Sequence, residues 1–155
     1  MLQIDDRIPN FEILTDKDPF NVSDYLGKKI VIFFFPRADT SGCTAESIAF
    51  TNLQSDFDKL NCVIIGISKD NPKKQLKFRE KYNLTCHLGA DFENNVCEQF
   101  GVWVEKSMYG KKYMGIQRST FLCDEKGTIK KIWEKVKVPG HADEVLQAVK
   151  DLNVS

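Results

Sequence analysis

"KIVIFFFPRADTSGC", residues 29–43, sets a nearly unbroken apolar, β-branched and aromatic run against a small polar turn that ends in one cysteine. The run from Lys29 to Phe35 reads as a strand buried on both faces, central in a sheet with cover above and below. Pro36 ends it, since the proline ring fixes φ and removes the N–H a further ladder bond needs. No second cysteine lies within seven residues of Cys43, so neither a C-x-x-C redox pair nor a zinc knuckle accounts for the thiol. Downstream, Phe50, Leu53, Phe57 and Leu60 recur three or four apart against Thr51, Asn52, Gln54 and Asp58, which predicts a helix starting near Cys43.

Working outward, "CVIIGIS" at 62–68 is a second buried strand, and Asn71-Pro72 is a helix start signal for Lys73 to about Tyr82. A third strand is expected from Cys86 to Ala90 and a short helix from Asn94 to Phe100. An opening segment spans Phe11 to Leu14. "RSTFLCDEKGTIKKIWEKV" divides into two strands around a turn at Glu125–Gly127. Ala142, Val145, Leu146, Val149 and Leu152 mark a closing amphipathic helix. Strands alternating with helices and ending in a hairpin and a helix predict an α/β domain with a central mixed β-sheet flanked by helices. That order resembles a thioredoxin-like fold with an N-terminal extension, built as one domain over residues 1–155.

Composition narrows the function. The 155 residues are 42% hydrophobic and 11% aromatic, enough for one respectable core, and 22 basic residues cancel 22 acidic ones. No overall field draws the chain to nucleic acid or to a membrane surface. The basic stretch from Lys126 to Lys137 is interleaved with Ile129, Ile132, Trp133 and Val136, as on the solvated face of a half-buried element. Neither a signal-peptide core nor a membrane span is present, so the sequons at Asn21, Asn83 and Asn153 are taken as chance matches. Five cysteines, at 43, 62, 86, 97 and 123, are odd in number and irregular in spacing, unlike an extracellular disulfide framework. A reducing cytoplasm is the expected location.

A cysteine in the first turn of a helix meets unpaired N–H groups and the positive end of the helix dipole, which favour a thiolate. The carboxyl end of a strand is also where open α/β sheets bind ligands. Cys43 has both features. Cys62, between Asn61 and Val63, and Cys123, inside "TFLCD", read as inert buried thiols.

Pro36, Thr40 and Cys43 spell P-x-x-x-T-x-x-C, and "GIQRSTF" supplies Arg118. With these motifs the chain resembles the peroxiredoxins. The runs "FFFPRADTSGCTAES", "GVWVEKSMYGKKYMGIQRSTF" and "KVKVPGHADEVL" are similar to its bacterioferritin comigratory protein, or peroxiredoxin Q, subgroup, over nearly the whole chain. The resemblance implies a thiol peroxidase that reduces hydrogen peroxide and organic hydroperoxides through a sulfenic acid at Cys43. Thr40 would place a hydroxyl between thiolate and peroxide, Arg118 would stabilise the thiolate and the transition-state charge, Pro36 would shape the loop, and Glu46 would orient Arg118. For Glu46, ordinary charge complementarity with the helix N-terminus is an equal alternative.

Members of the subgroup carry a resolving cysteine five residues after the first or on the next helix; here those positions hold Ile48 and Arg79. Cys86 and Cys97 remain as candidate resolving partners, but nothing in the sequence brings either near Cys43. One-cysteine behaviour is therefore expected, with thioredoxin, glutaredoxin or glutathione as reductant, no cofactor, and a monomer or weak homodimer. Two other readings stay open: a peroxide sensor without efficient turnover, and a thiol–disulfide oxidoreductase, which usually needs an adjacent C-x-x-C. A metal site finds only the pair Cys86-His87, without partners at ligand spacing.

Overall fold

The computed structural model describes residues 2–154. Its core is built around β3 (Lys29–Phe34), in which every residue is buried. β3 pairs in parallel with β4 (Cys62–Ser68), Lys29 opposite Cys62 and Phe34 opposite Ile67. On its other side it runs antiparallel to β8 (Ser119–Cys123), which continues to β9 (Ile129–Trp133). β5 (His87–Ala90) lies parallel to β4, and β1 (Glu12–Thr15) and β2 (Phe20–Asn21) complete the sheet in the order β2-β1-β5-β4-β3-β8-β9. The sheet is mixed and central, and the architecture is thioredoxin-like.

Because side chains alternate along a strand, β3 serves two cores at once. Ile30, Ile32 and Phe34 face a layer made by Phe11, Phe20, Phe100 and Phe121. Val31, Phe33 and Phe35 face the other, where α1 (Ser41–Asn52), α2 (Gln54–Lys59), α3 (Pro72–Tyr82) and α5 (His141–Val154) supply Phe50, Phe57, Phe78 and Val145. Each fully buried aliphatic or aromatic chain contributes roughly 1.5–3 kcal/mol of transfer free energy, which is why this strand anchors the fold. Gly66 on β4 leaves room for it: a Cβ there would lie 2.4 Å from the Phe33 ring.

Three features depart from the sequence reading. The single helix expected after Cys43 breaks at Leu53 (φ −100°, ψ 6°), whose N–H reaches back to Phe50 and Thr51 carbonyls; α2 restarts so that Phe50 and Phe57 share one core. A two-stranded hairpin, β6 (Trp103–Met108) and β7 (Lys111–Ile116), follows the short α4 (Val96–Gln99) and was not anticipated. Its strands are largely exposed, so they lack a clean apolar alternation. Its turn also uses Tyr109-Gly110, both at positive φ (52° and 76°), where Asn-Gly would have announced it. The 3₁₀ turn Val22–Tyr25, capped by the Asn21 side chain, is the third.

Candidate active site

The chain leaves β3 at Phe35, whose N–H still bonds the Ile67 carbonyl at 3.0 Å, and passes through exposed Pro36 into the loop. Three side chains from neighbouring elements tie this loop down. Asp70 Oδ2 accepts from the Ala38 N–H at 2.8 Å, and Asp39, at φ +62°, is held by Lys81 at 2.9 Å and by the Tyr82 hydroxyl. Thr40 occupies the N-cap position of α1 with extended φ and ψ, yet its hydroxyl makes no capping bond. It donates instead to the Arg37 carbonyl at 2.8 Å, leaving its lone pairs free to accept.

Cys43 sits in the first turn of α1 and is fully buried against Phe33, Phe35 and Phe50. The polar neighbours Ser41, Gly42 and Thr44 suggest a more open thiol than this. All five cysteines are free and buried, so burial does not single one out. The charge environment does. Burial pushes Cys62 up to about 12 despite nearby Lys29, and Cys86 likewise to about 12. Burial also raises Cys97, reinforced by Asp91, and Cys123, reinforced by Asp124. Arg79 stands beside Cys86 but donates to its carbonyl; at Cys43 the guanidinium reaches the sulfur itself, Arg118 Nη2 donating to Sγ at 3.3 Å.

Arg118 lies in the short link between β7 and β8, where the antiparallel pairing of β8 with β3 carries it to the end of the central strand. Its other nitrogen, Nη1, donates to Glu46 Oε1 at 2.7 Å. Cys43 and Glu46, three apart on one helix, thus meet the two prongs of one planar fork. Gly42 permits the approach, since a Cβ there would stand 3.1 Å from Nη2. Burial opposes the charge on Arg118, but Glu46 and Cys43 more than offset it and raise its pKa.

Glu46 is itself 1% exposed, and its Oε2 has no hydrogen-bond partner. Burial pushes its carboxyl from 4.5 up to about 7 against the pull of Arg118. Because the folded state holds this proton more tightly than the unfolded chain, the associated stability is complete below pH 4.5 and lost between pH 4.5 and about 7. We therefore expect Glu46→Gln to flatten the pH dependence: between pH 4.5 and 8 the parent loses on the order of 3 kcal/mol relative to the variant. Urea unfolding at several pH values checks this, and parallel profiles for the two proteins would contradict it.

The remaining sequence candidates lie elsewhere. Cys97, on α4, packs in the core on the opposite face of the sheet from Cys43. Cys86 shares the face of Cys43 but precedes β5, at the amino end of the parallel strands, whereas Cys43 follows their carboxyl end. Arg79 is locked in place by Asp16 and by the Leu84 and Cys86 carbonyls at 2.7 and 2.9 Å. Ile48 is half-buried in the helix-covered core. The Cys86-His87 pair divides, His87 packing edge-on to Phe20 and Tyr25. Among the described residues no cluster of His, Cys, Asp and Glu could hold a metal, and no helix is long and apolar enough to cross a membrane.

Two neighbours escaped the sequence reading. His141, in "VPGHADEVL", is buried and bonds Thr120 Oγ1 at 2.8 Å; burial, opposed by Glu144 and reinforced by the Arg118 charge, lowers it to about 4, so it stays neutral. Lys106, on β6, is pulled down by burial and Arg118 and up by Cys43, which places its ammonium within electrostatic reach of both. The quoted segments contained these residues, but no spacing rule links either to position 43.

The site is thus a first-turn cysteine on a thioredoxin-like sheet, faced by an arginine that a buried glutamate also binds. The AhpC/TSA family profile matches residues 4–132. Peroxiredoxin Bcp of Bacillus subtilis is 44% identical over 153 residues, covering 98% of each chain. A peroxiredoxin Q mutant from Xylella fastidiosa superposes with a TM-score of 0.93 at 33% identity, covering 99% of this chain and 98% of that one. The bacterioferritin comigratory protein of Xanthomonas campestris, solved in trapped-intermediate and ligand complexes bearing on its alkyl peroxide reduction, gives 0.85 at 38% identity over 90% of this chain and 89% of that one. Structures of the Xanthomonas protein also carry serine at either of two cysteines thirty-six positions apart. The chain belongs to the AhpC/TSA family, in its peroxiredoxin Bcp, or peroxiredoxin Q, branch, and is a thiol peroxidase of that class.

Proposed function

We propose that the protein reduces hydrogen peroxide and organic hydroperoxides with Cys43 as the only cysteine taking part, and that an external thiol completes each cycle. The observation that carries this reading is the 3.3 Å contact between Arg118 Nη2 and Cys43 Sγ. The guanidinium holds the thiolate and stays in place for the charge that develops as the O–O bond breaks. The thiolate attacks one peroxide oxygen and becomes sulfenic acid; the other oxygen leaves as hydroxide or alkoxide and takes up a proton. Thr40 offers its free lone pairs and its proton to the peroxide as the charge moves, Pro36 shapes the approach, and Glu46 holds Arg118 in register.

Resolution from outside is supported by what surrounds Cys43. Thirty-six positions after it stands Arg79, tied into four hydrogen bonds. Cys97 lies behind the sheet and Cys86 at its far end, so a disulfide with either would require Cα atoms to close to within about 7 Å through local unfolding. Glutathione, glutaredoxin or thioredoxin then attacks the sulfenic acid, in a reducing cytoplasm, on a monomer or weak homodimer. Steady-state peroxide consumption with a thiol reductant tests the enzyme reading. Many turnovers per Cys43 are expected; consumption that stops at one equivalent would make the protein a sensor.

A further inference from the structure

At the carboxyl ends of β3, β4 and β5, beneath the β6–β7 hairpin, runs a cleft of about 570 Å³ that begins at Pro36. A second of about 360 Å³ shares Arg37, Asp70 and Lys74 with it and extends across Ala38 to Lys77. The two form one recess around the loop that leads to Cys43, at the edge where open α/β sheets take their ligands. Together their volumes suit a small peptide-sized ligand.

The lining has an unusual charge. Lys69 and Lys81 in these walls are matched by Asp91 and Glu98 and by Asp39. Arg37, Lys74, Lys77 and Lys106, by contrast, form no ion pair with any acid among the described residues. The chain as a whole is neutral, so this corner holds a local excess of unmatched positive charge. Of the two acids in its walls, Asp39 is held by Lys81 and Tyr82, and Asp70 uses Oδ2 to hold the Ala38 N–H and the Ser68 hydroxyl. Tyr113 and Met114, both more than two-fifths exposed, give one wall an apolar surface. The cleft adjoins the loop from Pro36 that leads into the helix bearing Cys43, and Lys106 in its wall feels the charges of both Arg118 and Cys43.

We propose that this recess is the recognition site for the reductant, and that it takes a small anionic thiol of the glutathione class. Such a tripeptide carries two carboxylates, one ammonium and a central thiol. Arg37 and Lys74 match the carboxylates, Asp70 matches the ammonium, and the thiol faces the Pro36 end. The inference rests on the one-cysteine reading above. The chemistry balances in two steps: the bound thiol attacks the sulfenic sulfur, an S–S bond forms as the S–O bond breaks, and water leaves. A second thiol then attacks the mixed disulfide, releasing the Cys43 thiol and the oxidised thiol dimer.

The test oxidises the protein with one equivalent of hydrogen peroxide and follows its reduction by glutathione or by neutral 2-mercaptoethanol. In the parent, the glutathione rate saturates with concentration. In Arg37→Glu/Lys74→Glu it falls about tenfold or more, as expected for two charge reversals in a cleft. Oxidation by hydrogen peroxide and reduction by 2-mercaptoethanol stay unchanged, and the same net charge change at distant Lys126 and Lys150 has no effect. A non-saturating glutathione rate, equal in parent and variant, overturns the proposal. So does a charge reversal that slows oxidation by a carboxylate-bearing hydroperoxide and spares glutathione, since the recess would then read the oxidant. Failure of the one-cysteine reading shows earlier and differently, as an intramolecular disulfide before any thiol is added.

Discussion

Cys43→Ser abolishes hydroperoxide reduction, a fall on the order of a thousand-fold or more, while the protein keeps its fold. Serine fills nearly the volume of cysteine in the pocket made by Phe33, Phe35 and Phe50, so packing is retained. Its hydroxyl is far too weakly acidic to supply the anion that attacks an O–O bond. The same substitution at Cys62, Cys86, Cys97 or Cys123 leaves peroxide reduction close to the parent rate, because burial holds those thiols protonated. Stopped-flow oxidation of each variant, with circular dichroism as the check on folding, distinguishes the five. Appreciable turnover in Cys43→Ser would remove the nucleophile from this account.

Arg118→Met is expected to slow oxidation by roughly a hundred- to a thousand-fold, the range for removing one preorganised charge from the transition state. Two contacts vanish together, the one to Sγ at 3.3 Å and the one to Glu46 Oε1 at 2.7 Å. Glu46, left with both oxygens unpartnered in a buried site, holds its proton to still higher pH. Thr40→Val slows oxidation by less, since its hydroxyl donates to the Arg37 carbonyl and the Arg118 contact to the sulfur stays in place. An oxidation rate in Arg118→Met equal to the parent's, read by stopped flow, would mean that the arginine does not stabilise the reacting sulfur.

These residues were not equally legible in the sequence. β3 was, because a strand buried on both faces must be apolar throughout, and Pro36 marks its end. The three- and four-residue spacing of Phe50, Leu53, Phe57 and Leu60 then placed a helix start near Cys43. Arg118 came only with the family resemblance, because its meeting with Cys43 depends on β8 folding beside β3 across seventy-five residues. The burial of Cys43 had a signal that went unread: Cys43, Ser47 and Phe50 fall at i, i+4 and i+7 and are all fully buried. Serine and cysteine break the apolar stripe, so the helix was counted from Phe50 onward. The β6–β7 hairpin left little trace, since it buries little and turns on Tyr109-Gly110. Yet that hairpin walls the cleft beside the site, so the wall of the cleft was the part of the surface that composition described least.

The opposite faces on which Cys43 and Cys97 lie, and the arginine locked at position 79, give the resolving step its clearest physical expectation. Without an external thiol, the oxidised protein keeps its sulfenic acid, and excess peroxide drives Cys43 to sulfinic acid. The most direct measurement is intact mass with peptide mapping after one equivalent of peroxide in the presence of a sulfenic-acid trapping reagent. A single adduct is expected, on the peptide that contains Cys43; rapid loss of two hydrogens with a mapped cross-link from Cys43 to Cys86 or Cys97 would contradict one-cysteine chemistry.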